Sequence, residues 1–528
     1  MLGLQLVVVL GIAVLAACVA ARRLRIAPPV LLLATGVLLG FVPALRTVRL
    51  PPEVVLLLFL PALLYWESLT TSLREIRSNL RPIALMSTAL VIATAALVAV
   101  VAHGLGLPWG PAWVLGAAVA PTDATAVGAL ARALPRRFLT TLRTESLVND
   151  GTALVIYGIA VAATVGGGHV DAGHVTWMFV VAYAGGALAG LVTASLAMLV
   201  RRHLDDPLLE NLVSVVTPFA AFLLAEVVGA SGVLAVVACG LAVSQTGPRA
   251  IQALTRQQAQ AFWGLTTFVL NGALFVLVGL QVQASVRNLP AADLTRALAA
   301  VAAICATVIG TRFLWLFTTP YLIRLLDRRP QQRLRRVGAR PRVLSAVAGF
   351  RGAVSLAAAL AVPALLASGA PFPDRDLIVF VTSGVVVVTL VVQGLLLPAV
   401  VRWARLPTDT TVADERRLAD TVATEEALAA VGDAARDLGT DEAVVARLRA
   451  EYEQHLRVLR TDGAESADDP DRRAEEQYTT LRLALLARKR ATVVRLRDER
   501  RIDDTVLRQV QWRLDTEEVR LLRREVVD

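Results

Sequence analysis

The chain has 528 residues, 56% of them hydrophobic, with a mean hydropathy of +0.61 and a formal charge of +10. Apolar runs of about twenty residues recur from Leu2 to about Arg402, each long enough at ~1.5 Å per residue to cross ~30 Å of hydrocarbon. That excludes a soluble globular protein and predicts an all-α polytopic membrane protein. A transmembrane β-barrel is excluded too, because runs such as VVLLLFLPALLYW lack the period-two alternation a barrel strand needs. The charge is uneven. From Arg405 onward there are 23 basic and 28 acidic residues, against 30 and 15 before it. The basicity thus belongs to the membrane part, where it marks cytoplasmic loops rather than contact with nucleic acid, and no nucleic-acid partner is expected.

In chain order the predicted spans are 2–21, 28–45, 51–69, 82–103, 111–133, 141–165, 174–201, 208–229, 231–245, 258–284, 295–320, 343–368 and 376–402, about thirteen transmembrane helices. Loops after odd-numbered spans carry the arginines, as in RRLR (22–25), REIRSNLR (74–81), RALPRR (132–137) and the stretch 322–342. Loops after even-numbered spans hold few. This places the N-terminus outside and the C-terminal tail in the cytoplasm of a multi-pass plasma-membrane protein. LAAC at 15–18 looks like a lipoprotein cleavage site, but RRLR follows it directly, and the segment reads as a first span with a cytoplasmic stop. Cys18, Cys239 and Cys305 sit in separate apolar runs and read as small buried hydrophobes.

Two spans are interrupted. Pro121 falls in the middle of the fifth, where it removes an amide proton and breaks the helix. The twelfth contains Gly349, Arg351, Gly352 and Pro363. Broken backbone survives in a membrane only where protein buries it or where it lines a cavity, and paired interruptions in two halves of a chain point to a transport site. If spans one to six and eight to thirteen are inverted repeats, the two breaks correspond. The predicted division is therefore 1–404, a transmembrane domain, and 405–528, a helical tail. In the tail, Ile502, Val506, Val510 and Leu514 are expected to share one helix face. It packs on itself or on a second subunit, with a regulatory role as the alternative.

The chemistry concentrates between Leu115 and Tyr157. Asp123, Glu145 and Asp150 lie there inside apolar runs, with Thr122, Ser146 and Asn149. An ionised carboxylate near the bilayer centre costs at least ~2.5–3.5 kcal/mol, so such a cluster needs partners, water or a bound cation. Glu145 and Asn149 stack one turn apart on the sixth span, as do Ser146 and Asp150. Oxygen ligands without cysteine or clustered histidine suit a hard cation rather than a transition metal. An apolar setting disfavours a charged carboxyl and a nearby cation favours it, so Asp150 is expected to hold either a proton or a small monovalent cation. Glu145 needs a partner, and Arg351 is the natural candidate among the rare intramembrane cations. Arg312 and Glu226 are further lone charges without a derivable partner.

At these residues the sequence resembles the monovalent cation/proton antiporter family, in the branch of bacterial and eukaryotic sodium/proton exchangers. The resemblance rests on FLPALLYWESLTTSLREIRSNLRPI, APTDATAV, ESLVNDGTALV, LLAEVVGASGVLAVVACGL and FRGAVSLAAALAVP. It implies an alternating-access exchanger, usually a homodimer, with two crossed broken helices. By that similarity Asp150 carries the ion or proton, Thr122, Asp123 and Ser146 contribute oxygens, Asn149 and Arg351 hold the core together, and Arg351 pairs with Glu145. An Asn-Asp pair at 149–150, rather than two aspartates, is the family's mark of electroneutral exchange.

The reading is a plasma-membrane sodium/proton antiporter, with sodium, potassium or lithium as candidate cations, lipid as surroundings and no cofactor. The same machine working on potassium is the alternative. A passive channel has no need of a buried titratable acid at a helix break, and an anion carrier would place its arginines inside the spans. An intramembrane hydrolase lacks a histidine beside Ser146 and Asp150.

Overall fold

A computed structural model of the chain describes residues 2–24, 26–45, 54–78, 83–124, 134–166, 172–288, 294–326, 338–406, 411–461, 470–499, 501 and 503–525. The second half of the fifth predicted span, most of the arginine-rich stretch 322–342 and Ile502 lie outside the described residues. The chain divides into two compact units, Met1–Asp409 and Thr410–Asp528.

The first unit is helical, with only two isolated β-bridges among the described residues. Its helices are α1 (Leu2–Leu24), α2 (Pro28–Leu39), α3 (Val55–Thr70), α4 (Leu73–Ser78), α5 (Leu85–Gly104), α6 (Trp109–Val119), α7 (Arg136–Gly166) and α8 (Gly173–Arg201). They continue as α9 (Pro207–Val227), α10 (Gly232–Ala250), α11 (Ala253–Asn288), α12 (Leu294–Leu326), α13 (Ala339–Val347), α14 (Ala353–Leu360) and α15 (Arg375–Ala404). Among the described residues eight helices are long and apolar enough to cross a membrane, and α2, α3, α6 and α10 are shorter apolar helices.

Local chemistry sets many of the ends. Pro28 and Pro207 occupy the first turns of α2 and α9, where a missing amide proton costs nothing. The Asp206 carboxylate caps α9 by accepting the Leu208 amide at 2.8 Å, and Ser231 caps α10 through the Leu234 amide at 3.4 Å. The predicted twelfth span is two short helices, α13 and α14, and the chain from Ala361 to Phe372 returns without helix, bridged at Leu365 and Pro371. The second span stops at Leu39 rather than reaching 45.

The helices pack as two groups. α5, α6, α7, α12, α13, α14 and α15 form one; α1, α2, α3, α8, α9, α10 and α11 form the other. Each group draws on both halves of the chain. Close helix approach in a membrane relies on small residues rather than on a hydrophobic drive. Between α2 and α11 the approach is so tight that a Cβ on Gly36 would stand 2.1 Å from Val276 O and one on Gly279 2.3 Å from Leu33 O.

The second unit consists of α16 (Thr411–Leu438), α17 (Glu442–Thr461), α18 (Pro470–Asp498) and α19 (Asp504–Glu525), paired as α16 with α17 and α18 with α19. The apolar seam of the second pair joins Leu483 and Leu486 to Val510, Leu514 and Leu521. The strict spacing of four read from the sequence is corrected at Val506, which is exposed while Leu507 is buried. A spacing of four drifts about 40° per step on a 3.6-residue helix, so a long contact alternates threes and fours.

Gly36→Val is expected to lower the unfolding temperature in detergent by an amount equivalent to about 1–3 kcal/mol of overpacking. Gly264→Ala, on α11 but with nothing within 4 Å of the added Cβ, leaves it nearly unchanged; equal effects at both positions would refute the α2–α11 contact.

Candidate ion-binding site

The site begins with two helix breaks that face each other. α6 ends at Val119 because Pro121 follows, and the chain runs on through Thr122 and Asp123 without helix. α13 ends at Val347 and α14 starts at Ala353. Across the gap the Asp123 amide donates to Phe350 O at 2.8 Å, an antiparallel bridge that joins one break to the other.

Broken helices leave unpaired carbonyls at one end and amides at the other. Arg351, 1% exposed, serves the carbonyls: its Nε donates to Val119 O at 3.0 Å and its Nη1 to Gly349 O. These carbonyls end α6 and follow α13, where the helix dipole is negative and a cation is favoured. The amide end belongs to α14, whose N-cap Gly352 makes no side-chain cap of its own. The Asp123 carboxylate packs on that glycine so closely that a Cβ there would stand 2.1 Å from Oδ2. An anion is thus set at the positive end of α14.

The sixth predicted span, α7, contributes its polar face. Asn149 Nδ2 donates to Thr122 Oγ1 at 2.7 Å and to Thr122 O at 3.2 Å, the Ala124 amide donates to Ser146 Oγ at 3.4 Å, and Thr122 Oγ1 donates to Glu145 Oε1 at 3.3 Å. Asp150 is 7% exposed, and among the described residues its carboxylate has no hydrogen bond or ion pair of its own. The charges of Asp123 and Glu67 both bear on it. Thr122, Glu145 and Asn149 are thereby joined at the breaks, Ser146 is tied to the Ala124 amide, and Asp150 follows one turn beyond Ser146 on the same face of α7.

Glu67, half-buried in α3, is the acid that sequence reasoning does not single out. It lies near the end of an apolar run, beside Ser68, Thr70 and Thr71, where an acid reads as interfacial. Its charge also feels Asp123 and Arg143. Among the described residues, no three His, Cys, Asp or Glu side chains close into a metal-holding group, so hydroxyl and backbone oxygens would have to complete any cation shell.

The partner of Glu145 is a correction. Arg312 of α12, not Arg351, grips it in a fork, Nη1 to Oε1 at 2.5 Å and Nη2 to Oε2 at 3.1 Å, with both side chains buried. Arg312 Nε also donates to Ser345 O at 2.9 Å. Two arginines and one glutamate share the region, and sequence distance does not tell which arginine the backbone carbonyls occupy. Glu226 is exposed at the end of α9, where it accepts the Gly232 amide at 3.3 Å and so caps a turn. Beside the Arg312–Glu145 pair lies a cavity of about 10 Å³, lined by Thr122, Glu145, Asn149, Arg312 and Arg351 among others. That is room for one water, and Asn149 Oδ1 has no partner among the described residues.

Residues 10–403 match the family described as sodium/hydrogen exchanger, transmembrane. The chain belongs to the Na+/H+ exchanger family. An exchanger of Mycobacterium tuberculosis, named as an uncharacterized Na+/H+ exchanger, is 47% identical over 522 residues, 98% of this chain and 96% of its own. An uncharacterized Na+/H+ exchanger of Escherichia coli is 30% identical over 94% of both chains. Among solved structures, the sodium proton antiporter MjNhaP1 of Methanocaldococcus jannaschii superposes with a TM-score of 0.57 at 18% identity, over 76% of this chain and 98% of that one. That likeness establishes the shared fold.

In this exchanger, Glu145→Gln or Arg312→Gln alone is expected to leave a buried charge unpaired and destabilise by about 3–5 kcal/mol. The double substitution loses less than the sum, as read by unfolding in detergent; strict additivity would mean the pair is not formed. Gly352→Ala is expected to push the Asp123 carboxylate off the α14 terminus and reduce sodium-driven exchange by at least about tenfold. Wild-type exchange in a folded Gly352→Ala protein would show that this approach does not matter.

Proposed function

We propose that the protein is a secondary active antiporter that exchanges sodium for protons, one for one, across the plasma membrane by alternating access. The observation that carries this reading is the Asp150 carboxylate, buried and without a hydrogen bond or ion pair among the described residues, on the helix where Glu145 is held by Arg312 and beside breaks held by Arg351. Asp150 binds a sodium ion together with oxygens of Asp123, Thr122 and Ser146. After the site turns to the other side, the ion leaves and a proton takes its place on the same carboxyl. One carboxyl cannot hold both, so the competition itself couples the two flows. Asn149 carries no charge, so a full cycle moves one positive charge each way and none net. The loop arginines support an outside N-terminus and a cytoplasmic tail.

A second reading, potassium in place of sodium, has specific support. A Bacillus subtilis relative, 32% identical over 70% of this chain, is named a sodium, potassium, lithium and rubidium/H+ antiporter. Oxygen ligands do not by themselves select among these ions.

The test uses purified protein in liposomes that hold a pH-sensitive dye. Sodium added outside is expected to drive an internal pH change that is unaffected by clamping the membrane potential and falls to background in Asp150→Asn. The apparent KM for sodium is expected to rise as pH falls, by up to about tenfold per unit where the proton wins the carboxyl. Exchange that survives Asp150→Asn would overturn the assignment, and a response to potassium alone would favour the second reading.

A further inference from the structure

We propose that Tyr183 is a positioning residue for exchange: from the helix group that does not carry the breaks, its hydroxyl holds α7, the helix of Asp150, through Thr152. The role rests on the alternating-access reading, because it concerns a bond between the two helix groups.

Tyr183 belongs to a π-helical turn of α8, Val181–Gly185. That turn is fastened to α10. Ala182 O accepts the Ser231 amide at 3.3 Å, and a Cβ on Gly186 or Gly190 would stand 2.8 Å from Ser231 O or 2.2 Å from Ala235 O. The glycines let the two backbones touch, so the base of Tyr183 is seated on its own group. Its ring stacks on Phe179 with centroids 6.3 Å apart, and its hydroxyl is in hydrogen-bond contact with Thr152 Oγ1.

Counting protons gives this bond its direction. Thr152 is fully buried, and its single hydroxyl proton faces two carbonyls, Ser87 O at 2.8 Å and Val148 O at 3.1 Å. With that proton committed, Tyr183 is the donor and Thr152 the acceptor. Ser87 lies in the π-helical turn of α5, Leu85–Ala89, where a widened ladder leaves room for a donor from outside. Thr152 therefore joins α7 to α5 inside its group and receives Tyr183 from the other. The contact between Ser285 of α11 and Ser383 of α15, 3.4 Å apart, also spans the groups but differs. Those hydroxyls already donate to Gln281 O and Val379 O, which leaves no proton for a bond between them.

A reorientation of one group against the other must break the Tyr183–Thr152 bond. Tyr183→Phe keeps the ring, its stack and the glycine seam, and removes only the donor. In the liposome assay it is expected to raise the maximal exchange rate about two- to tenfold, the worth of one net hydrogen bond, with the sodium KM changed less than about twofold. Tyr183→Phe should add nothing further in a Thr152→Val background, whereas Thr152→Ser, which keeps the acceptor, behaves as wild type. A cycle of unfolding temperatures over the same variants reads the bond without transport: coupling between the two positions is expected. Absence of that coupling overturns the bond itself. Coupling with an unchanged rate, or with a rate that falls in step with stability, overturns the positioning role and leaves the exchange reading intact. A wild-type protein with no exchange at all is the failure of the underlying reading, and it overturns the role as well.

Discussion

The guanidinium of Arg351 across Val119 O and Gly349 O, together with the backbone bridge from Asp123 to Phe350, is what allows two helices to stop in the middle of an apolar unit. Without such partners each break would strand carbonyls and amides away from water, at a cost of several kcal/mol per group. The cation stands at the carbonyl ends of the breaks and Asp123 at the amide end of α14, so charge and helix dipole agree at both places. That agreement places the oxygen-bearing residues around one point.

Once the breaks are held, the charges nearby fall into two kinds. Arg351 is used by backbone, and Arg312 and Glu145 use each other in a buried fork that also takes in Thr122 and, through it, Asn149. A fork of this kind is expensive to break and gives little when made, so its value lies in geometry more than in stability. Asp150 stands apart, on the same helix face, one turn beyond Ser146. Among the described residues its carboxylate makes no hydrogen bond or ion pair, in contrast to the paired Glu145.

Packing knits each helix group internally and also joins the two. The group with α8, α10 and α11 is knit by glycine contacts in which backbones meet, as at Gly36 with Gly279 and at Gly190 with Ala235. The site group has its own cores, one of them running from Val98 and Leu115 to Ile304 and Val385. Apolar clusters also cross between the groups, Leu33 and Leu274 with Phe350 and Leu390, and Leu147 of α7 with Tyr65 and Val236, so the polar link from Tyr183 to Thr152 sits beside an apolar interface.

The apolar runs, the positions of Pro121 and of Gly349 to Gly352, and the spacing of Glu145, Ser146, Asn149 and Asp150 were all legible in the amino-acid order, because span length, helix breaking and helical periodicity are local properties of a chain. Helix ends were read less well: α2 stops at Leu39 rather than 45, and α14 stops at Leu360 inside the predicted 343–368, since contacts with other helices decide where a helix ends. The regular spacing of four in α19 misled for a related reason, as a real seam follows the 3.6-residue turn. What the chain order could not supply was pairing. Arg351 and Arg312 are equally apolar in their surroundings and equally charged, and which of them reaches Glu145 depends on how α12 and the α13–α14 break cross α7. Glu67 joins Asp123 and Asp150 only because α3 packs beside α7. Sequence alone determined the membrane helices, their breaks and the polar face of α7, because each is set within a few residues; tertiary structure alone decided which charges neutralise one another, because electrostatic partners are fixed by distance in space.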